Sequence, residues 1–399
     1  MKEARLRALL REGPPPGELD AERRAWKVVA AAFGEREPVA RPGRHVRAAA
    51  LGVAALALVA AALSPPGSAV LDSLRDAVGR ERVVGVEQAR PLLLELPSPG
   101  RLLVVSPSGA WVVNADGSKR LLGPADDATW SPQGLFVAAA RGRELVALTP
   151  EGVTRWTIPQ RARVREPRWA PSGFRIAYLA GSVLRVTAGD GTGDRVLARA
   201  VPRVAAEWRP GSEHVLAYVA RDGGVRVVDT DSGRMLARAP AAGGPVLQVA
   251  WLRGGRALAV LDREGVQIVE PRGATRRLSL SGRTGVSLVA APRGDALAVV
   301  ARSARGARSE VLLLRAGTGA VRSIFSGAGR FTEAAWSPDG RWLLVAWQSA
   351  DQWVFVRSTN VDGLAAVADV SRQFRGLADA DEGFPRLGGW CCSPGRVSG

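Results

Sequence analysis

The side chains that most often catalyse reactions or bind metals are scarce in this sequence of 399 residues. The only histidines are His45 and His214, and the only cysteines are the adjacent Cys391 and Cys392. No Cys-x-x-Cys spacing accompanies them, so a Cys/His zinc site is not expected. Neighbouring cysteines form a disulfide only with strain, because one peptide step brings their Cα atoms closer than a disulfide prefers. We therefore expect two small buried thiols at this position.

Nucleophilic catalysis also finds little support. No Gly-x-Ser-x-Gly elbow occurs, and the turn-to-strand position of His214 favours a structural role. The aspartate-rich segments 190–194 and 229–233 bear some likeness to phosphate-binding and calcium-binding loops. The first follows no strand–helix pattern and the second lacks the spaced glutamate of a calcium loop, so we interpret both as turns. We predict no catalytic, metal-binding or cofactor-binding residues and no cofactor, and we leave the binding residues unassigned.

The net charge of +17 raises the question of nucleic-acid binding. Only Lys2, Lys27 and Lys119 are lysines, and the arginines are scattered along the sequence rather than clustered. Arginine in place of lysine, with frequent Ala, Gly, Val and Pro, is typical of a high-GC bacterial genome. We therefore interpret the charge as compositional bias and expect no nucleic-acid partner. A polyanion-binding surface is the alternative.

A recurring tryptophan-and-turn motif indicates which elements would position any site. Trp336 precedes the tetrad Ser-Pro-Asp-Gly at 337–340, which suits a type I turn, and the largely apolar run 341–346 follows. Such a short run bounded by turn residues predicts a strand buried on both faces, with the tryptophan filling the gap between neighbouring sheets. The anchor position recurs 39, 39, 43, 39, 46 and 54 residues apart, at Trp130, Trp169, Trp208, Trp251, Ala290, Trp336 and Trp390.

Periods near forty residues with strand patterning predict an all-β fold, a β-propeller of four-stranded blades over residues 98–399. The first blade shows strands at 101–106, 110–114 and 119–122 but lacks the strand that leads into a tryptophan. The segment near 384–390 supplies that strand, so the two ends of the domain close the ring within one blade. We predict seven blades, with six as the alternative.

The Trp-Ser-Pro-Asp-Gly motif at 336–340 resembles the WD40-like repeats of TolB-type propellers, and the likeness extends over about three hundred residues. The resemblance implies that a propeller face binds a protein or a small ligand. This fold hosts binding proteins and enzymes alike. We therefore predict a binding module and not an enzyme. The alternative is a propeller hydrolase or lyase that uses carboxylates lining the central channel.

An uncharged segment at 48–63, extended by Ser64, precedes the repeats and ends at Pro65-Pro66-Gly67. Sixteen helical residues span about 24 Å, less than the ~30 Å hydrocarbon core of a bilayer, so local thinning and snorkelling of Arg47 would help. We predict a single-pass transmembrane helix at 48–64. A cleaved signal peptide and a buried soluble helix are the alternatives. Basic residues before the span predict a cytoplasmic N-terminus and an extracytoplasmic propeller at the cell membrane.

The cytoplasmic segment, residues 1–47, contains two short amphipathic helices within 1–34 that are too small to form their own core. This layout, with Glu-Arg-Arg-Ala-Trp at 22–26, is weakly similar to the cytoplasmic part of membrane-anchored anti-sigma factors of high-GC bacteria. The zinc-binding His/Cys pattern that many of those proteins carry is absent here. The similarity implies a cytoplasmic protein partner for residues 1–34 and a sensor role. Residues 65–97 are predicted to form a stalk with a short helix at 70–78.

Overall fold

The computed structural model describes residues 85–392 apart from residues 94, 242, 253, 271–273, 360–362 and 377–382. Within this part of the chain the regular structure is almost entirely β. The exceptions are a short helix α1 (Val370–Gln373) and a 3-10 turn (Gln348–Ala350). The predicted helices at 1–34, 48–64 and 70–78 lie outside the described residues. No helix in the described part combines the length and the apolar character needed to cross a bilayer.

The strands of the described chain form seven antiparallel sheets of four strands each, and these sheets are the blades. From the inner to the outer strand, blade 1 contains β28 (Arg386–Cys391), β1 (Arg101–Ser106), β2 (Gly109–Val113) and β3 (Lys119–Gly123), and blade 2 contains β4 (Asp127–Trp130), β5 (Val137–Arg141), β6 (Glu144–Leu148) and β7 (Thr154–Pro159). Blade 3 contains β8 (Val164–Trp169), β9 (Arg175–Ala180), β10 (Val183–Ala188) and β11 (Arg195–Ala198), and blade 4 contains β12 (Glu207–Trp208), β13 (Val215–Val219), β14 (Val225–Asp229) and β15 (Met235–Ala239). Blade 5 contains β16 (Gln248–Trp251), β17 (Leu258–Leu261), β18 (Gly265–Val269) and β19 (Thr275–Ser279), and blade 6 contains β20 (Thr284–Ala290), β21 (Ala296–Arg302), β22 (Arg308–Arg315) and β23 (Val321–Ala328). Blade 7 contains β24 (Phe331–Trp336), β25 (Trp342–Trp347), β26 (Gln352–Arg357) and β27 (Leu364–Val367).

The ring closes in blade 1, where the last strand of the chain pairs with the first. β28 runs antiparallel to β1, with Trp390 opposite Leu102 and Arg386 opposite Val105. The predicted seven blades and the predicted composite blade are therefore both confirmed, and the six-bladed alternative is excluded. β28 is the inner strand of blade 1, so closure gives this blade its fourth strand and leaves the ring with only the short, protected strand edges that propellers tolerate.

The core consists of seven apolar clusters, each shared by two neighbouring blades. Strand β25 shows how the sequence produces this arrangement. Leu343 and Val345 pack against blade 6, whereas Leu344 between them packs towards blade 1, because successive side chains point to opposite faces of a sheet. A strand inside the ring is therefore buried on both faces. This explains why the second strand of each blade reads as a continuous apolar run rather than as an alternating one.

Three of the anchor tryptophans hydrogen-bond to the blade before their own. In blade 7, Gly340 N–H donates to the Ser337 carbonyl (2.9 Å), which closes the predicted turn. The indole N–H of Trp336 donates to the carbonyl of Val289 in blade 6 (3.3 Å). Trp208 and Trp251 make the corresponding bonds to blades 3 and 4, at 2.9 and 3.0 Å. The predicted role of the anchor tryptophan between blades is thus confirmed.

Two faces of the propeller follow from the connectivity. We call the side with the tryptophan-motif turns the motif face. The interblade face carries the loops between the outer strand of one blade and the inner strand of the next, together with the turns between second and third strands. The described chain begins beside the interblade face of blade 7, where Val86 N–H donates to Gln352 Oε1 (2.7 Å). Leu93 and Leu96 then pack between blades 7 and 1.

Candidate functional site

The seven inner strands surround a central channel that encloses about 540 Å³. Most residues one and three positions before the anchors line the channel, because side chains alternate along a strand, whereas Ala250, one position before Trp251, lies in the core. The position three residues before the anchor is polar in five blades and apolar in the other two. In blade order it is occupied by Leu387, Asp127, Glu166, Ala205, Gln248, Ser287 and Glu333.

The charged inner-strand residues that line the channel lie on one arc of the wall, from blade 7 through blade 1 to blade 4. We call this set of six side chains the charged arc. The remaining wall, from blades 5 and 6, presents the neutral side chains of Gln248 and Ser287 beside apolar ones. Along the ring the charged arc consists of Glu333, Arg386, Asp127, Glu166, Arg168 and Glu207.

Local backbone irregularities place several of these side chains. The registers of β8, β20, β24 and β28 shift by bulges near the channel. In β8 the bulge leaves Glu166 with a φ of 49°, a left-handed conformation that a non-glycine residue rarely adopts. The strained backbone turns the Glu166 N–H towards Asp127 Oδ2 (2.9 Å). Strain of this kind persists where the surroundings enforce it, and it is concentrated at functional sites.

Side chains of the channel also link neighbouring blades. Asp127 accepts the Glu166 N–H, Gln248 accepts the Leu288 N–H (2.9 Å), and Glu333 accepts the Leu387 N–H (2.6 Å). Each bond therefore runs from a polar side chain to the backbone of the next blade. These three contacts have a structural role. Arg386 also donates to the Asp126 carbonyl at the entry to blade 2 (3.5 Å), and Arg168 donates to the carbonyl of its neighbour Pro167 (2.8 Å).

Two arginines of the charged arc are shared among four carboxylates. Arg168 lies 3.3 Å from a Glu166 oxygen and 3.5 Å from a Glu207 oxygen. Arg386 lies 3.4 Å from Glu333 and 3.8 Å from Asp127. The side chains of Arg168 and Glu207 remain 27% and 29% exposed, so water reaches them through the channel.

Burial in the channel wall raises the pKa of both Glu207 and Glu333 above its ordinary value. The positive charge of Arg168 lowers the pKa of Glu207, and that of Arg386 lowers the pKa of Glu333, but in both cases by less than burial raises it. For the two arginines burial acts in the opposite direction, yet the surrounding carboxylates raise the pKa of each. The channel therefore holds permanent positive charges beside carboxylates that take up protons more readily than usual.

The charged arc lies towards the interblade face, since Asp127, Glu207 and Arg386 are the first residues of their inner strands. The rim beside it is rich in arginine. In blades 2–4, which the structure describes completely, the loops and strand ends of this face hold seven arginines and three carboxylates, leaving out the charged arc and counting Arg203 beside it. The motif face of the same blades holds four arginines and six carboxylates, so the net charges are +4 and −2.

A groove of about 630 Å³ crosses the interblade face of blades 1–3. Within it, the Asp126 carboxylate pairs with Arg163 (2.5 Å) and accepts the Gly142 N–H (2.9 Å). Burial alone would raise the pKa of Asp126, but these two bonds and the charge of Arg163 lower it below its ordinary value. Arg141 donates to the Pro124 carbonyl (3.1 Å). We call this site the arginine groove; it is lined by Pro107, Pro124, Ala125, Asp126, Arg141, Gly142, Arg143, Arg161, Ala162 and Arg163.

The residues considered in the sequence as possible sites lie on the motif face. His214 ends a turn of blade 4, and its Nε2 lies 3.5 Å from Asp229 Oδ2. The segments 190–194 and 229–233 are turns between third and outer strands, as interpreted, and Asp229 accepts the backbone N–H groups of the second turn. No group of three or more His, Cys, Asp or Glu side chains among the described residues is arranged to hold a metal ion.

The structure joins Cys391 and Cys392 in a disulfide, so the expectation of two free thiols was wrong. Cys391 is the last residue of β28, and Cys392 has a φ of 52°. Both sulfur atoms lie beside the turn of blade 2, where Cys392 Sγ is 3.1 Å from the Pro132 carbonyl oxygen.

The charged arc was not predicted, although the sequence contains a signal for it. Each inner strand precedes an anchor, and a polar residue one or three positions before the anchor interrupts an otherwise apolar segment. Glu207 and Glu333 are examples of the first and third positions. Arg386 does not follow this rule, because the bulge at Gly388 adds one residue between it and Trp390.

No protein-family model matches the sequence, and no curated protein matches it. Solved structures do resemble it in fold. Hsv2p from Kluyveromyces lactis aligns with a TM-score of 0.51 and 16% identity over 67% of this chain and 93% of that chain. Its variant with loop 6CD replaced by a Gly-Ser linker gives 0.51 and 16% over 64% and 88%. A chain of a mitotic checkpoint complex gives 0.50 and 17% over 72% and 87%. At such identities the likeness shows the propeller fold alone.

Proposed function

We propose that this protein is a binding module whose propeller holds a protein partner on its interblade face, with the charged arc at the centre of the contact. The observation that supports the proposal is the presence of six charged side chains in the channel. Ion pairs removed from water seldom stabilise a fold more than apolar side chains of the same size would, because desolvation offsets their attraction. Their presence therefore favours a role in recognition.

The blades themselves do not require these charges. Ala205 and Leu387 occupy the position three residues before the anchor in blades 4 and 1, so blade geometry accepts apolar side chains there. Both are compatible with the same four-stranded sheet as Glu333 in blade 7. An apolar channel would also be the more stable arrangement. The cost of burying charge is thus concentrated on one arc, next to an arginine-rich rim.

A protein partner suits this surface better than a small molecule does. The channel and the arginine groove are separate concavities of about 540 and 630 Å³ on the same face. A small ligand would fill one of them, whereas a protein surface can contact both and the loops between them. The contact area of such a complex is commonly about 800 Å² on each partner.

In this proposal the chain is a single-pass membrane protein with the propeller outside the cell and residues 1–34 inside. The described chain enters the propeller at Val86, beside the interblade face of blade 7. A partner on that face would therefore contact the side from which the chain leads to residues 1–84, which favours a sensor role. Alkaline extraction of membranes and protease protection of intact cells test the anchor and its orientation. Release of the full-length chain by alkaline buffer would contradict the anchor.

A second candidate is a hydrolase or lyase that uses the channel carboxylates. The raised pKa of Glu207 and Glu333 supports this candidate, because a general acid needs a carboxyl group that stays protonated near neutral pH. Against it, Glu207 contacts Arg168 and Glu333 contacts Arg386. Activity screening of wild type beside Glu207→Gln and Glu333→Gln tests it. Turnover that both substitutions abolish without loss of fold would favour the enzyme.

Site-specific photo-crosslinking in cells tests the binding proposal. A photoreactive amino acid replaces Ala304, an exposed residue on the interblade face of blade 6, or Ser232, an exposed residue on the motif face of blade 4. We expect a discrete crosslinked protein from position 304 only. The charge-removing variant Glu207→Gln with Arg168→Gln should weaken that product. Equal products from both positions, or none from position 304, would contradict the proposal.

A further inference from the structure

We propose that the arginine groove binds an extended acidic segment of a protein partner through its carboxylates. This inference rests on the proposed function and specifies the chemistry of the partner. The groove holds four arginines and one carboxylate, a net charge of +3. It lies between the Pro107 turn of blade 1 and the loop at 160–163 that enters blade 3.

The arginines of the interblade face are largely free to receive a ligand. Within the fully described blades 2–4, five of the seven arginines of this face make no ion pair or hydrogen bond through their side chains. On the motif face of the same blades only Arg234 is without such a contact, because Arg175 and Arg195 contact Asp231 and Arg209 donates to the Gly255 carbonyl. The five unpaired arginines are Arg143, Arg161, Arg199, Arg203 and Arg221.

Two of these unpaired guanidinium groups, those of Arg143 and Arg161, belong to the groove, and backbone hydrogen bonds join the loops that carry them. Arg143 lies in the two-residue turn after β5, where Gly142 has a φ of 57°. Arg161 lies in the next interblade loop, whose Gln160 N–H donates to the Arg143 carbonyl (2.7 Å). The Asp126 carboxylate holds both loops in place, because it accepts hydrogen bonds from the Gly142 N–H in one loop and from the Arg163 guanidinium group in the other. A preformed arrangement of arginines reduces the entropy lost on binding.

The shape and composition of the groove favour a peptide over other polyanions. A bilayer is flat and is usually held by exposed apolar or aromatic anchors, and single-stranded nucleic acid stacks its bases on aromatic rings. The exposed large apolar side chains of the described chain lie elsewhere, and the single aromatic one among them, Phe174, lies on the motif face. Arginine binds carboxylates in a planar, two-bonded geometry, which suits glutamate and aspartate side chains.

Fluorescence anisotropy of the detergent-solubilised full chain tests the proposal. The probe is a labelled ten-residue peptide with five glutamates separated by glycine and serine, and the control peptide has glutamine in place of glutamate. We expect the acidic peptide alone to bind, more weakly as salt increases. Arg143→Gln with Arg161→Gln should weaken binding about tenfold, since each exposed ion pair contributes about threefold. The matched variant Arg234→Gln with Arg293→Gln on the motif face should bind as wild type does.

Several results would overturn the inference. Equal loss of affinity in the two double variants would show that only the total charge matters. Tighter binding of a ten-nucleotide single strand or of phosphatidylglycerol vesicles, with no competition from the peptide, would assign the groove to another polyanion. Binding that appears only after neutralising the acidic residues at 379, 381 and 382 would assign it to the chain's own segment.

The two proposals fail in different ways. Crosslinking at position 304 that survives Arg143→Gln with Arg161→Gln would overturn the role of the groove and leave the partner site on the interblade face intact. Peptide binding without any crosslinked partner in cells would leave the groove as a site for acidic peptides and overturn the proposed function. The peptide assay does not depend on the identity of the partner.

Discussion

Removing Arg168 should destabilise the propeller far more than removing one of its carboxylate partners. In Arg168→Met the side chain keeps a similar length, but Glu166 and Glu207 lose the guanidinium group at 3.3 and 3.5 Å. Breaking a fully buried ion pair costs about 3–5 kcal/mol of unfolding free energy. The side chains here are 16–29% exposed, so we expect about 2 kcal/mol and a thermal midpoint lower by roughly 3–6 °C.

Glu207→Gln should have little effect on the free energy of unfolding. The substitution keeps the shape of the side chain and removes a carboxylate whose ionised form burial disfavours. Arg168 then keeps Glu166 as a partner, so the free energy of unfolding should stay within about 0.5 kcal/mol of wild type. The double variant Arg168→Met with Glu207→Gln leaves a single unpaired carboxylate. It should recover about half of the loss caused by Arg168→Met alone.

The pH dependence of stability tests the same contacts independently, because the raised pKa of Glu207 fixes the direction in which stability changes. The folded-state pKa of Glu207 is raised, so the folded state holds this proton more tightly than the unfolded state does. Its contribution to stability is complete below the ordinary glutamate pKa and is lost as the pH rises through the raised value. The stability of wild type relative to Glu207→Gln should therefore fall across that interval. The penalty of Arg168→Met should shrink in acid, because protonation neutralises the carboxylates left behind.

Thermal unfolding of the full chain in one detergent, followed by tryptophan fluorescence and circular dichroism between about pH 4 and pH 8, measures these effects. Three results would refute the reasoning. The first is an equal loss of stability in Arg168→Met and Glu207→Gln. The second is a neutral effect of Arg168→Met near pH 7, and the third is a penalty that grows in acid. Each would show that Arg168 does not stabilise the fold by neutralising Glu166 and Glu207.

Two further predictions concern the contacts between blades. Trp208→Phe removes the hydrogen bond from the indole to the Arg168 carbonyl and should lower the free energy of unfolding by about 1–2 kcal/mol in a thermal melt. Trp169→Phe should lower it less, because the Trp169 N–H has no hydrogen-bond partner among the described residues. A larger loss in Trp169→Phe would contradict this. A chain that ends at residue 383 lacks β28, exposes the cluster around Leu102 and should be cleaved rapidly in limited proteolysis, whereas a chain that ends at Cys392 should resist. Equal resistance would contradict the role of β28 in closure.

The fold could be predicted because local signals repeat. The turn tetrad at 337–340 specifies its own geometry, and its recurrence about every forty residues indicates one blade for each copy. Ala290 lacks the tryptophan and Trp251 lacks the proline, yet the spacing still identifies both blades. Ring closure by β28 followed from counting strands, since the first blade lacked one. Strand ends were the least certain feature, and β2 lies at 109–113 rather than 110–114.

The charged arc depends on relations that no single repeat contains. Glu207 and Arg168 are thirty-nine residues apart in the sequence, and only the angle between neighbouring blades brings them to 3.5 Å. The bulge in β8 that strains Glu166 has one local signal in the sequence, Pro167, since proline within a strand is confined to edges and bulges. Alternation along each inner strand could have indicated which side chains face the channel. It could not have indicated which of those side chains share a counter-ion.

The arginine groove shows why charge scattered along a sequence can still form one surface. Arg143 and Arg161 belong to a turn within blade 2 and to the loop that leaves it, and each blade brings the chain to this face twice, once between its second and third strands and once where it passes to the next blade. Compositional bias explains why arginine is abundant, but it acts equally on both faces. In blades 2–4 the motif face pairs its arginines or opposes them with six carboxylates, whereas the interblade face leaves five arginines unpaired. Bias alone does not produce that difference between faces.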